Sequence, residues 1–191
     1  NPTLNDTILG VSEDEANGFS IGFLVGSDAD GETLVYRLDS AEYEGAFEIT
    51  GEGEVRVLNT NLIDYESDVS HYLYVSVLDP DNRKASALLT VNISNANDNS
   101  PVFNDTTIVM YENESVGNSI AKLFASDADN SVLTFRIDYQ EHANTFTLTN
   151  SGDLVLANAS EVDYETDSTH LVMVYVTDGL ATDSGLVTVM L

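Results

Sequence analysis

The feature that most constrains this chain is an internal repeat. Glu13 matches Glu112, Ser27-Asp28-Ala29-Asp30 matches Ser126-Asp127-Ala128-Asp129, Asp64-Tyr65-Glu66 matches Asp163-Tyr164-Glu165, His71 matches His170, and Asp79 matches Asp178. Every pair is 99 positions apart (13 to 112, 79 to 178), with no gap between Glu13 and Asp79. Beyond Asp79 the second copy is shorter by one residue: Leu88-Leu89-Thr90-Val91 aligns with Leu186-Val187-Thr188-Val189. A fixed period of this length means two copies of one folding unit, each near the usual size of a domain. The boundary falls where Asn-Ala-Asn-Asp-Asn-Ser-Pro interrupts regular structure, so the expected repeats are 1–97 and 98–191 with a linker over 95–101.

Within each copy the period is that of strands. Leu73, Val75 and Val77 alternate with Tyr72, Tyr74 and Ser76, and Val172, Val174 and Val176 follow the same rule. Seven short strands are predicted for the first copy, near 7–11, 20–27, 34–39, 47–50, 54–58, 71–78 and 87–93. Turn residues every 8 to 12 positions between such strands predict a β-sandwich.

The residues shared by the copies are of two kinds. The apolar, periodic ones are core. The others are acidic and lie in loops or at strand ends, where they contribute nothing to packing. Calcium gives their recurrence a reason, because it takes 6 to 8 oxygen ligands from carboxylates, amide side chains and backbone carbonyls. In an extended segment residues i and i+2 share a side, so Asp64 with Glu66, and Asp127 with Asp129, can each converge on one ion. Asn95-Ala96-Asn97-Asp98-Asn99 carries oxygen-bearing side chains at four of five positions and no competing lysine. An EF-hand reading fails: placing Gly31 at the loop glycine puts Arg37 where the closing Glu belongs.

Composition narrows the rest. There are 33 acidic residues against 6 basic ones, a formal net charge of −27. Such a surface repels phosphate backbones and anionic headgroups, so no nucleic-acid partner is expected, and a membrane only through other parts of a parent chain. No apolar run is long enough to span a bilayer, and the chain reads as a piece of a longer protein. A halophilic or marine surface is one source of this charge, and clustered cation sites are another. There is no cysteine, which removes disulfides and thiolate metal sites.

These motifs together resemble two consecutive cadherin repeats, over nearly the whole sequence. They are a Glu closing the first strand, Asp-x-Asp, Asp-x-Glu, a later Asp, and a linker close to Asp-x-Asn-Asp-Asn-x-Pro. The resemblance implies an all-β fold of two tandem seven-stranded Greek-key β-sandwiches, immunoglobulin-like and of cadherin type, arranged end to end. It also implies about three calcium ions at the junction. Their ligands would be Glu13, Asp64 and Glu66 from the first repeat, Asn95, Ala96, Asn97, Asp98 and Asn99 from the linker, and Asp127, Asp129, Asn130 and Asp178 from the second. Ala96, Asn99 and Asn130 would contribute backbone carbonyls. Asn95 departs from the family's Asp and removes one negative charge. By the same logic Asp28, Asp30 and Asp79, and separately Glu112, Asp163 and Glu165, are incomplete terminal half-sites for neighbouring repeats.

The function so implied is a calcium-stiffened structural or adhesive segment of a large cell-surface or secreted protein, extracellular, with a protein partner bound homophilically or heterophilically. The alternative is a carbohydrate-binding module of a secreted, polysaccharide-associated protein, with Tyr36, Tyr43, Tyr72 and Tyr74 as a platform for a surface glycan. The absence of Trp weakens that alternative and removes adhesion by Trp exchange. No enzyme motif occurs, and His71 and His170 recur as packing residues, whereas His142 has only Tyr43 as counterpart. Low lysine and extreme acidity point toward a bacterial surface adhesin.

Overall fold

The computed structural model describes residues 1–191. The chain divides into two compact units, Asn1–Ala96 and Asn97–Leu191. Each is a sandwich with its own core.

In the first unit the strands are β1 (Pro2–Leu4), β2 (Thr7–Ser12), β3 (Ser20–Phe23), β4 (Gly26–Asp28), β5 (Val35–Ala41), β6 (Phe47–Ile49), β7 (Glu54–Val57), β8 (Ser70–Leu78) and β9 (Lys84–Ser94). One sheet has the order β2-β9-β8-β5, and the facing sheet has the order β3-β7-β6. All pairings are antiparallel except that of β2 with β9. Strand β8 shows why the segment is a strand: His71, Leu73, Val75 and Val77 turn into the core while Tyr72 and Tyr74 face out. Ser76 breaks the alternation. It is buried, and its hydroxyl is satisfied by Asp39 Oδ1 at 3.0 Å.

One strand was not expected, and one expected strand is split. The segment predicted to begin at residue 7 is preceded by β1, which pairs with β4, whereas β2 pairs with β9. Asn5-Asp6 separates the two pieces, and the Asp6 carboxylate accepts the Leu88 N–H at 2.8 Å. The expected strand over 20–27 breaks at Leu24, whose side chain is buried while its N–H bonds to the Gly53 carbonyl at 2.8 Å.

The second unit repeats this plan. Its strands are β10 (Thr106–Val109), β11 (Ser119–Lys122), β12 (Thr134–Gln140), β13 (Phe146–Leu148), β14 (Asp153–Leu156), β15 (Thr169–Thr177) and β16 (Thr182–Met190). The sheet orders are β10-β16-β15-β12 and β11-β14-β13. A lone bridge, Val102 to Ser126, stands where β1 pairs β4 in the first unit. The irregularities also recur. A register shift follows Leu38 and another follows Ile137; one follows Ser20 and another follows Ser119. The missing residue of the second copy lies in the last hairpin, which closes over 79–83 in the first unit and 178–181 in the second.

The cores are separate. One gathers Phe47, Val55, Val57, Leu73, Val75, Leu89 and Val91; the other gathers Phe146, Leu154, Leu156, Val172, Val174, Val187 and Val189. Each fully buried Val, Leu or Phe contributes about 1.5–3 kcal/mol against exposure. With no disulfide available, this packing holds the loops that carry the acidic residues.

Candidate metal centre

In the first unit Glu13, Asp64 and Glu66 come together, with one oxygen of each within 4.8 Å of the others. Glu13 directly follows β2 and is buried. Its Oε2 accepts the Tyr65 N–H at 2.5 Å and its Oε1 accepts the Ala96 N–H at 2.6 Å. Each oxygen keeps a lone pair beyond those bonds. Asp64 and Glu66 converge, but not through an extended backbone. Residues 64–68 form a turn in which the Asp68 N–H reaches the Asp64 carbonyl at 2.9 Å. The Asp64 Oδ1 accepts the Glu66 N–H at 3.1 Å, and its Oδ2 accepts the Ser67 hydroxyl at 2.7 Å. Aspartate favours such a turn because its side chain replaces a backbone acceptor. The Ser67 hydroxyl, with the neighbouring N–H groups, holds the Asp64 carboxyl below its ordinary value.

In the second unit the linker residues and the Asp-x-Asp loop form a tighter group. Asp127 also starts a turn, with its Oδ1 on the Ser131 N–H at 3.1 Å. Its Oδ2 is buried without a hydrogen-bond donor. Asp129 is buried; its Oδ2 accepts the Asn99 N–H and its Oδ1 the Asn99 side-chain amide, both at 2.8 Å. The same Asn99 amide bonds Asp98 Oδ1 at 2.8 Å. Asp178 spends one oxygen, Oδ1, on the Leu180 and Ala181 N–H groups of its hairpin at 2.7 and 2.6 Å. One terminal amide atom of Asn97 lies 3.1 Å from Asp129 Oδ2, 3.2 Å from Asp178 Oδ2 and 3.3 Å from Ser131 Oγ. As nitrogen, that atom donates to all three. The amide therefore ties Asp129, Asp178 and Ser131 together and keeps their oxygens close to one another. Asn130 is exposed with φ of 57°, a left-handed turn position that asparagine tolerates. Asn95 is exposed at the end of the first unit.

The donor set fits a hard divalent cation. It is all oxygen, it is anionic, and it includes the buried Asp127 Oδ2, which has no protein donor.

The residues expected at the outer half-sites are placed unevenly. Glu112, Asp163 and Glu165 cluster as their counterparts do, and Glu112 accepts the Tyr164 N–H at 3.0 Å. Asp28 and Asp30 group with Glu32. Asp79 is buried, holds the Arg83 N–H at 2.8 Å, and pairs with the Arg83 guanidinium at 3.5 Å. Glu32 is the residue that sequence reasoning missed. Burial, then Asp79, Asp81, Asp28 and Asp30, push its carboxyl above the ordinary value. The position 99 later is Ser131, so the repeat gave no signal for it.

The tyrosines do not form one platform. The Tyr36 hydroxyl accepts the Gly26 N–H at 2.7 Å beside the core. Tyr43 stacks on His71 at 4.4 Å and donates to Asp68 at 3.2 Å. Tyr72 and Tyr74 remain on the outer face of β8. His71 and His170 are buried, and desolvation holds both imidazoles below the ordinary histidine value.

Residues 106–191 match the family model described as Cadherin domain. Cadherin-related family member 1 of Gallus gallus is 31% identical over 183 residues, 92% of this chain and 21% of that protein. Protocadherin-15 of Gallus gallus is 32% identical over 196 residues, 95% of this chain and 10% of that protein. The chain thus spans about a fifth or less of these two relatives. Among solved structures, chicken VE-cadherin EC1-2 superposes with a TM-score of 0.76 at 22% identity, covering 96% of this chain and 97% of that one, a likeness of fold. Nothing in these relatives supports the bacterial source that the charge suggested. Cadherin domains are extracellular and non-enzymatic. Two sandwiches of one topology, the acidic motifs and these matches identify the chain as two tandem cadherin domains.

Proposed function

We propose that this chain binds calcium, about three ions, at the junction of its two repeats, and that this binding stiffens a structural or adhesive segment of a cell-surface protein. The ligands are Glu13, Asp64 and Glu66, the linker residues Asn95 to Asn99, and Asp127, Asp129 and Asp178, with Asn130 offering a carbonyl. One observation carries the reading: carboxylates gather in small clusters, Glu13 with Asp64 and Glu66 among them, and Asp127 Oδ2 lies buried with no donor to meet it.

The chain's own groups define the mechanism. Without metal the carboxylates of linker and loops repel. Two unit charges 4 Å apart interact by about 1 kcal/mol in water and about 4 kcal/mol at an effective dielectric of 20. Bound calcium supplies the positive charge that turns this repulsion into shared ligation. Glu13 is already oriented by two N–H groups, Asp64 by its turn, and Asp178 by its hairpin, so ligation orders few further side chains. A stiffened pair of repeats suits a protein partner, homophilic or heterophilic.

X-ray scattering of the chain in calcium and then in chelator tests this. The expected result is a longer, narrower particle in calcium, with calorimetry giving about three ions per chain. An unchanged maximum dimension would sink the stiffening, and a stoichiometry near zero would sink the site.

A further inference from the structure

A second group of metal-ligating side chains lies wholly inside the second unit and shares no residue with the acidic clusters. His142, in the loop after β12, Asp167, just before β15, and His170, at the start of β15, each present a ligand atom within 4.8 Å of the others. His142 Nε2 is 3.1 Å from Asp167 Oδ2. The two imidazole rings meet edge to face with centroids 5.1 Å apart. On its other side, His142 Nδ1 faces Glu161 Oε2 at 3.8 Å.

His170 makes this more than an ion pair. It is 1% exposed, and neither ring nitrogen has a hydrogen-bond partner. A buried polar ring normally finds at least one donor or acceptor, and leaving one unpaired is costly. A cation accepting a lone pair from His170 would satisfy it. Around a zinc-like ion at 2.0–2.1 Å, tetrahedral ligand atoms lie about 3.3 Å apart. His142 and Asp167 already meet that spacing, and the His170 ligand atom, within 4.8 Å of both, would have to approach by about 1.5 Å at most. The Glu161 carboxylate lies on the side where a ligating histidine commonly donates its second N–H, at 3.8 Å, so a small approach would make that bond. His142 and Asp167 are partly exposed, at 28% and 36% of their side chains, so ion and water have access.

We propose that His142, Asp167 and His170 form a binding site for one divalent transition-metal cation of the zinc class, oriented by Glu161 and completed by water. Imidazole with a carboxylate favours such ions over calcium, which takes oxygen. The first unit is a built-in control. There Tyr43 stands in place of His142, stacks on His71 and bonds Asp68. A phenol offers no ligand of this kind at neutral pH, so only the second unit has the site. Binding would pin the loop after β12 to β15 and stabilise that unit by mass action.

The test is a Zn2+ titration of the whole chain by calorimetry in excess calcium, which occupies the oxygen clusters, with the imidazole nitrogens followed by NMR. The expected result is one zinc per chain, with ring signals of His142 and His170 shifting and that of His71 unmoved. His142→Tyr, which copies the arrangement the first unit folds with, should weaken binding about tenfold or more. No zinc uptake in calcium, equal shifts at His71, or an unaltered affinity in His142→Tyr would each overturn the proposal. Calcium binding would be unaffected by any of those outcomes, so the calcium reading stands or falls separately.

Discussion

Glu13 Oε1 accepts the backbone N–H of Ala96 at 2.6 Å, tying the end of β2 to the last residue of the first unit. The other oxygen holds Tyr65 at 2.5 Å. A glutamine of the same shape must point its NH2 at one of those donors. In chelator, Glu13→Gln should therefore lower the stability of the first unit by about 1–3 kcal/mol, read from urea unfolding. In calcium the loss should be larger. An equal loss in both conditions would mean that Glu13 is only a structural brace.

Asn95 is the linker position with an amide where the family has a carboxylate. Asn95→Asp adds a charge to the linker proposed to hold calcium. Calcium affinity should rise by about fivefold, or ~1 kcal/mol, by titration calorimetry. Stability in chelator should move the other way, because the added carboxylate then only repels.

His71 sets a pH response in the first unit. Its buried imidazole is held below the ordinary 6.5, chiefly by desolvation, while Asp68 and Glu42 oppose the shift. Between the folded and unfolded values, the unfolded chain binds more protons. Its contribution is fully present above pH 6.5 and is lost as pH falls through the folded value. His71→Phe should flatten the change in urea midpoint between about pH 7.5 and about pH 5.5. An unchanged slope would assign the acid sensitivity to His170 or the carboxylates instead.

Two glycines of the second unit separate backbone strain from crowding. Gly117 and Gly152 both have φ of 93°. A Cβ at Gly117 meets nothing within 4 Å, whereas at Gly152 it would lie 2.8 Å from the Leu123 carbonyl oxygen. Gly117→Ala should cost about 1–2 kcal/mol, the left-handed penalty alone. Gly152→Ala should cost about 1–3 kcal/mol more, from overpacking. Thermal unfolding of the two variants side by side measures the difference.

Much of this architecture was legible because the repeat is a comparison built into the chain. Glu13 and Glu112, or Leu73 and Val172, report themselves by returning 99 positions later. What does not return was lost. Glu32 has only Ser131 opposite it, and His142 has only Tyr43, so neither drew notice as a ligand. Backbone detail was lost for another reason. Asp64-Tyr65-Glu66 reads as an extended pair by period, but the aspartate side chain captures the Glu66 N–H and bends the segment into a turn. Strand β1 was hidden because it is only three residues long, too short to show a period, and only its partner β4 reveals it.

The parallel pairing of β2 with β9 has a mechanical consequence. Strands that begin and end a unit while running in the same direction leave it at opposite poles. A pull on those two ends therefore loads the ladder between them in shear, so its hydrogen bonds resist together instead of unzipping in turn. In the first unit the parallel strand β2, which follows the short β1, is six residues long, and in the second, where β10 runs parallel to β16, it is four. Stretched singly in a force experiment, the second unit is the one that should yield first.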